Sequence, residues 1–176
     1  ILRGGSHALR LVRDVLDLAR LEEGRLQTWP RRGVISDLVE AAMDAIAPEA
    51  DRRKVELVFD PPGDRLELVA DPDRVLQITL NLLSNAVKFS PAGGTVYLGA
   101  DTGNGQGTPL AQPEGGWVAI WVRDEGPGIA AEDLERAWGE FQQVNPEDRE
   151  RGAGIGLALS RQMAEYMGGT LTVDSE

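Results

Sequence analysis

Residues 71–90 read DPDRVLQITLNLLSNAVKFS. The stretch opens with a carboxylate suited to capping, followed by proline at the first helical position, so a helix is expected to begin there. Val75, Ile78 and Leu82, with Leu76, Leu80, Leu83 and Val87 beside them, recur at helical spacing and are expected to dock the helix on a core. Asn81, Asn85 and Lys88 fall at i, i+4 and i+7, within about 60° of one another around the axis. Gln77 extends this stripe. A polar stripe can be no more than a wet face, yet this one is rich in amides where solvent faces usually carry Glu and Lys. Carboxamide oxygens are hard neutral ligands suited to Mg2+, which keeps waters and phosphate oxygens as its other ligands. Lys88 adds a point charge for phosphate.

Working outward, residues 117–122 (WVAIWV) read as a strand of aromatic and β-branched residues. It runs into Asp124-Glu125-Gly126-Pro127-Gly128-Ile129, which serves equally as a plain turn. In the functional reading Asp124, at a buried strand end, accepts a hydrogen bond from an exocyclic amine, and the glycines let a flat ring such as adenine approach the backbone. A third element, residues 151–169, carries Gly152, Gly154 and Gly156 into a helix expected from Ile155 to about Met167 and closed by Gly168 and Gly169. Free amides at a helix start preceded by glycines make a phosphate cradle. A dinucleotide fold would need a strand directly before the glycines, but residues 142–151 are polar and charged, which points to a flap instead.

Together these stretches resemble the catalytic, ATP-binding domain of bacterial sensor histidine kinases, within the wider gyrase, chaperone and histidine-kinase ATPase superfamily. NLLSNAVKFS (81–90) is similar to the asparagine box, DEGPGI (124–129) to the first glycine box, WGEFQQV (138–144) to the phenylalanine box and GAGIGLAL (152–159) to the second glycine box. All four stand in the family's order. The resemblance implies ATP and Mg2+ as cofactors. Asn85 would coordinate the metal, Asn81 would support the metal and phosphate region, and Lys88 would touch phosphate. Asp124 would bind the adenine amine, with Gly126, Gly128, Ile129 and Phe89 shaping its pocket. Gly152, Gly154 and Gly156, with Leu157 beside them, would hinge the lid and hold phosphates, Phe141 would anchor it, and Arg149 or Arg151 would reach the phosphates. Trp138 stands where the phenylalanine box often has its first Phe.

One position separates subclasses. ATP-hydrolysing relatives carry a glutamate general base four residues before the metal asparagine, where this chain has Asn81. An amide cannot take the proton of a water nucleophile at neutral pH, which disfavours hydrolysis as the main reaction. Phosphoryl transfer to another side chain is expected.

The N-terminal stretch has Leu2, Leu9, Val12, Leu16 and Ala19 at heptad spacing, with Leu11, Val15 and Leu18 widening the stripe, as in a bundle helix. It resembles the second helix of the family's dimerisation and phosphotransfer hairpin, ending in LDLARLEEG (16–24). His7, the sole histidine, is followed by Ala8 where a phosphoacceptor in the family has an acid and by Val12 where it has Pro, so it is read as an ordinary bundle residue. The acceptor is then expected on a first helix outside this sequence.

The remaining stretches read as scaffold. Residues 28–33 are expected as a linker, Ser36 as the cap of a helix running to about Arg53, and residues 55–59, 66–69 and 95–100 as strands. The turn Pro61-Pro62-Gly63-Asp64 separates the first two strands, and residues 101–116 form a low-complexity loop. The expected architecture is an α/β two-layer sandwich: a mixed sheet covered on one face by the Ser36, Asp71 and Ile155 helices, preceded by the bundle helix. Residues 1–27 would be the partial hairpin and 34–176 the ATP-binding domain, lacking its usual last strand.

At 176 residues with 41% hydrophobic content, the chain can bury one sizeable core. Without cysteine it forms neither disulfides nor thiolate metal sites. No apolar run approaches ~18 residues, so no membrane contact is expected of this stretch, and its location is read as cytoplasmic. A net charge of −11 argues against nucleic acid. The expected function is transfer of the ATP γ-phosphoryl to a histidine of the parent kinase and onward to a response-regulator aspartate. The parent is expected to be a homodimer through the hairpin. A nucleotide-sensing or inactive module that regulates phosphatase output or dimer contacts is the alternative. An anti-sigma-type serine kinase fits less well, because those relatives usually keep the glutamate that Asn81 replaces.

Overall fold

The computed structural model describes residues 2–61, 65–102, 117–139 and 154–175, with side chains from Val12 onward. The chain divides into two compact units, Trp29–Pro127 and a second made of Ile1–Thr28 with Gly128–Glu176.

The Trp29–Pro127 unit begins with strand β1 (Arg31–Val34), which starts inside the segment read as linker, and passes directly into helix α2 (Ile35–Arg53). Strands β2 (Glu56–Asp60) and β3 (Glu67–Ala70) follow, then helix α3 (Pro72–Phe89) and strands β4 (Thr95–Thr102) and β5 (Val118–Arg123). The two strands flanking the proline turn do not pair with each other. β3 pairs antiparallel with β1 in a two-stranded sheet, while β2 pairs parallel with β4, which pairs antiparallel with β5, so that the expected mixed sheet has three strands.

Alternation along β4 sets the layers. Val96, Leu98 and Ala100 are buried on one face, and they join Ile35, Val39, Ala42 and Ile46 of α2 with Leu83, Ala86 and Val87 of α3. Each fully buried Val, Leu or Ile side chain of this cluster contributes about 1.5–3 kcal/mol relative to exposure. On the opposite face the Trp121 ring lies directly over Gly99, its partner across the ladder, and a β-carbon at Gly99 would fall inside the indole. Beside it the Arg123 guanidinium sits 4.4 Å from the centroid of Tyr97, also its cross-strand partner.

Helix starts differ in origin. α3 begins as expected, with Asp71 accepting from the amides of Asp73 and Arg74 and Pro72 in the first turn. α2 does not use Ser36 as its cap. Val34 occupies that position without a side-chain bond, and the Ile35 amide is satisfied by the Leu66 carbonyl at 3.0 Å, so the strand ladder supplies the acceptor. α2 ends with Lys54 in the left-handed conformation, φ 59°.

In the second unit, α1 (Leu2–Glu22) packs against α5 (Gly156–Tyr166), and the Tyr166 hydroxyl donates to the Leu26 carbonyl at 2.7 Å. A single 3-10 turn and the short α4 (Leu134–Ala137) precede Trp138, whose ring lies 5.1 Å from the Arg161 guanidinium. α5 closes as its glycines predict. Gly168 takes φ 81° and donates to the Glu165 carbonyl, while Gly169 donates to Ala164, the paired bonds of a Schellman motif.

Candidate functional site

The core-facing arc of α3 runs through Leu76, Thr79, Leu80, Leu83, Ala86 and Val87. Val75, Ile78 and Leu82, expected in that core, stand outside it and are half-buried. At about 100° per residue, Leu82 lies roughly 100° around the axis from Leu83, on the flank of the helix, and Ile78 roughly 140°, next to Asn85. Asn81, Asn85 and Lys88 fall on the side opposite the core, as the stripe requires, and all three are half-buried. The Lys88 ammonium lies 4.2 Å from the centroid of the Phe89 ring, and the Arg53 guanidinium donates to the Lys88 carbonyl at 3.2 Å. Two cations therefore meet the carbonyl end of α3, where the helix dipole favours them.

The acidic turn after β5 reaches this same end of α3. A β-carbon built on Gly126 would lie 3.3 Å from the Phe89 carbonyl oxygen and 2.6 Å from Asp124 Oδ1, so a side chain here would press on the end of α3 and displace the Asp124 carboxylate. The Gly126 amide donates to Asp124 Oδ1 at 2.8 Å. Glu125 fixes the turn from its other side, its Oε2 accepting from the Thr95 amide at 3.0 Å. Asp124 is exposed, not buried as its position suggested. β5 ends at Arg123, and the carboxylate turns back to its own loop instead of into the sheet.

Gly128, Ile129, Gly154, Gly156 and Leu157 belong to the second unit. Gly128 and Gly154 take φ 71° and 69°, a conformation that favours glycine. The Ile129 amide donates to Ser175 Oγ at 2.7 Å. Among the described residues, α5 starts after Ile155 with no side-chain capping bond. Phe141, Arg149, Arg151 and Gly152 lie outside the described residues.

Sequence reading missed Glu125 and Arg53, which hold main chain within the Trp29–Pro127 unit, and Ser175, which holds Ile129 within the other. Their signal is weak, since each bonds a main-chain group far away in sequence. Among the described residues, no group of three His, Asp or Glu side chains could hold a metal. The donors on α3 suit Mg2+ in another way: one or two neutral amide oxygens that leave the remaining positions to phosphate and water.

Residues 70–176 match the family described as histidine kinase-, DNA gyrase B-, and HSP90-like ATPase. The chain is 38% identical over 178 residues to the histidine protein kinase DivJ of Caulobacter vibrioides, covering 99% of the chain and 28% of that relative. It is 33% identical over 175 residues to the circadian input-output histidine kinase CikA of Synechococcus elongatus, covering 97% and 22%. The chain thus spans under a third of the length of these curated relatives. Among solved structures, full-length ShkA in complex with AMPPNP is similar with TM-score 0.76 at 32% identity, covering 94% of this chain and 32% of that one. The Acinetobacter baumannii histidine kinase AdeS is similar with TM-score 0.75 at 23% identity over 99% of this chain and 75% of that one, a likeness of fold alone.

Proposed function

The chain belongs to the histidine kinase-, DNA gyrase B- and HSP90-like ATPase family, and from that premise we propose that it is the ATP-binding catalytic region of a two-component sensor histidine kinase. It transfers the γ-phosphoryl of Mg-ATP to a histidine other than His7, on the first helix of a dimerisation hairpin, and the phosphoryl then passes to a response-regulator aspartate. The observation that carries this reading is the seating of Gly126 against the Phe89 carbonyl. It holds an amine-accepting carboxylate beside the helix that bears Asn81, Asn85 and Lys88.

Each residue has a defined task in this reading. Asp124 keeps Oδ2 for the adenine amine while Oδ1 is held by the Gly126 amide. Gly128 and Ile129 line the base, and Phe89 packs near it. Asn85 holds the metal with Asn81 behind it, and Lys88 meets a phosphate oxygen. Mg2+, when bound, neutralises charge on the phosphates. Gly152, Gly154 and Gly156 bring the α5 amides to the phosphates, with Leu157 beside them, Phe141 anchoring the lid and Arg149 or Arg151 adding charge. Phosphoryl transfer through a loose transition state needs positioning and charge stabilisation more than a strong base, which suits an amide at position 81.

Val12, Val15 and Leu16 are 57%, 44% and 51% exposed on one side of α1, an apolar stripe that supports homodimerisation through the helical hairpin. Among the described residues no helix is long and apolar enough to cross a membrane. The reading places this region in the cytoplasm, where ATP and receiver domains are available.

The test supplies an acceptor-bearing hairpin in trans with Mg-ATP and assays phosphohistidine by its acid lability. Labelled histidine is expected on the hairpin. Nucleotide binding without any phosphohistidine would replace this reading with a nucleotide-sensing module, and phosphoserine would indicate a serine kinase.

A further inference from the structure

Asp71 does more than cap α3. It is 4% exposed and both of its oxygens accept hydrogen bonds. Oδ1 takes the amides of Asp73 at 3.0 Å and Arg74 at 3.3 Å, and Oδ2 takes the amide of Trp29 at 2.9 Å.

The bond to Trp29 follows from strand register. Arg31 lies opposite Ala70 in the antiparallel pair of β1 and β3, so position 29 falls opposite Pro72. The Ile35 amide donates to Leu66, and antiparallel ladders alternate, so positions 35, 33, 31 and 29 form the hydrogen-bonded set. Trp29 is therefore due an acceptor from Pro72. Pro72 is already the first residue of α3, with its carbonyl turned into the helix and no N–H to return. The Asp71 carboxylate replaces the missing rung.

Burial alone would raise the Asp71 carboxyl, but the amides of Trp29, Arg74 and Asp73 and the charge of Arg74 outweigh it and hold the group below its ordinary range. The Trp29 indole is 65% exposed, so the attachment runs through the main chain. The nearby Arg31–Asp73 pair, at 4.0 Å and exposed, adds little.

We propose that Asp71 is a positioning residue for the nucleotide site: it ties the chain entering β1 to the N-terminal end of the helix carrying Asn81 and Asn85, so that linker attachment and nucleotide occupancy are coupled. The inference rests on the nucleotide reading above. α3 is a continuous helix, and Asn81 stands roughly 15 Å along it from Asp71, so a shift at its start moves the amide stripe with it.

The test measures hydrogen exchange at the Trp29 amide with and without Mg2+ and a nonhydrolysable ATP analogue, in the wild type, Asp71→Asn and Asp71→Ser. Asn and Ser both cap helices well, so α3 keeps its start. Asn turns an NH2 toward Trp29 in place of Oδ2, and Ser is too short to reach it. In both variants Trp29 exchange is expected to be at least about tenfold faster, as loss of a hydrogen bond to a charged acceptor implies. In the wild type the analogue slows this exchange, and in the variants it does not. By reciprocity, a tie that the analogue strengthens in the wild type strengthens analogue binding in turn, so the variants are expected to bind the analogue more weakly.

Trp29 exchange unchanged in both variants would overturn the proposal. So would a wild-type Trp29 amide indifferent to bound analogue, or lost protection throughout α3 in both variants. An analogue that fails to bind the wild type at all would instead overturn the nucleotide reading, while the variants' exchange without analogue would still judge the tie itself.

Discussion

The Gly126 amide donates to Asp124 Oδ1 at 2.8 Å while the same glycine packs so near the end of α3 that a β-carbon would lie 3.3 Å from the Phe89 carbonyl oxygen. One short turn therefore fixes the orientation of a carboxylate and its distance from the amide-bearing helix. Gly126→Ala is expected to push the Asp124 carboxylate aside and break its bond to the residue-126 amide. Nucleotide affinity measured by calorimetry should fall by about tenfold or more while the circular dichroism spectrum is kept. Unaltered affinity would show that the turn does not set the carboxylate.

Gly99 tests packing away from the site. Gly99→Ala places a methyl group inside the Trp121 ring, and the indole must leave the sheet. Urea denaturation should show a loss of about 1–3 kcal/mol, with a red-shifted Trp121 emission and unchanged nucleotide affinity. A variant as stable as the wild type would mean that Trp121 does not rest on the sheet.

Acid should weaken the Trp29–Pro127 unit through Asp71. Its folded carboxyl titrates below the ordinary value of 3.8, so its contribution to stability is complete above that pH and is lost as pH falls through the folded value. Denaturation midpoints measured from pH 7 to pH 2 should therefore decline less steeply in Asp71→Ser than in the wild type below about pH 4. Parallel declines would remove this role.

Asn85 should carry metal dependence. In Asn85→Ala, an ATP analogue is expected to bind about equally with and without Mg2+, because the protein's ligand to the ion is gone. A variant retaining the full effect of Mg2+ would transfer the metal role to another residue.

Local chemistry explains which features the sequence disclosed. Asp71, Pro72 and the amphipathic run fixed α3 because cap, proline and periodicity all act within a few residues, and Gly168 with Gly169 ended α5 for the same reason. Partners chosen across the fold left no such trace. The strands around Pro61 each pair elsewhere, a choice made by tertiary packing. Ser36 looked like a cap, but the Leu66 carbonyl had already satisfied the helix start. Lys54 ends α2 with φ 59° and carries none of the usual glycine signature. At the candidate site, residue types and spacing along α3 were readable, whereas the exposure of Asp124 and the supports from Glu125, Arg53 and Ser175 depend on contacts between distant segments. Helical spacing also spreads the apolar residues of α3 over too wide an arc, so Val75, Ile78 and Leu82 read as inward although they stand outside the core.

The most direct measurement is titration of the wild type and Asp124→Asn with a nonhydrolysable ATP analogue, with and without Mg2+. Saturable, metal-strengthened binding is expected in the wild type. In the variant affinity should fall at least about tenfold, as for a lost hydrogen bond to a charged group. Equal affinity in the two proteins would contradict adenine recognition by Asp124.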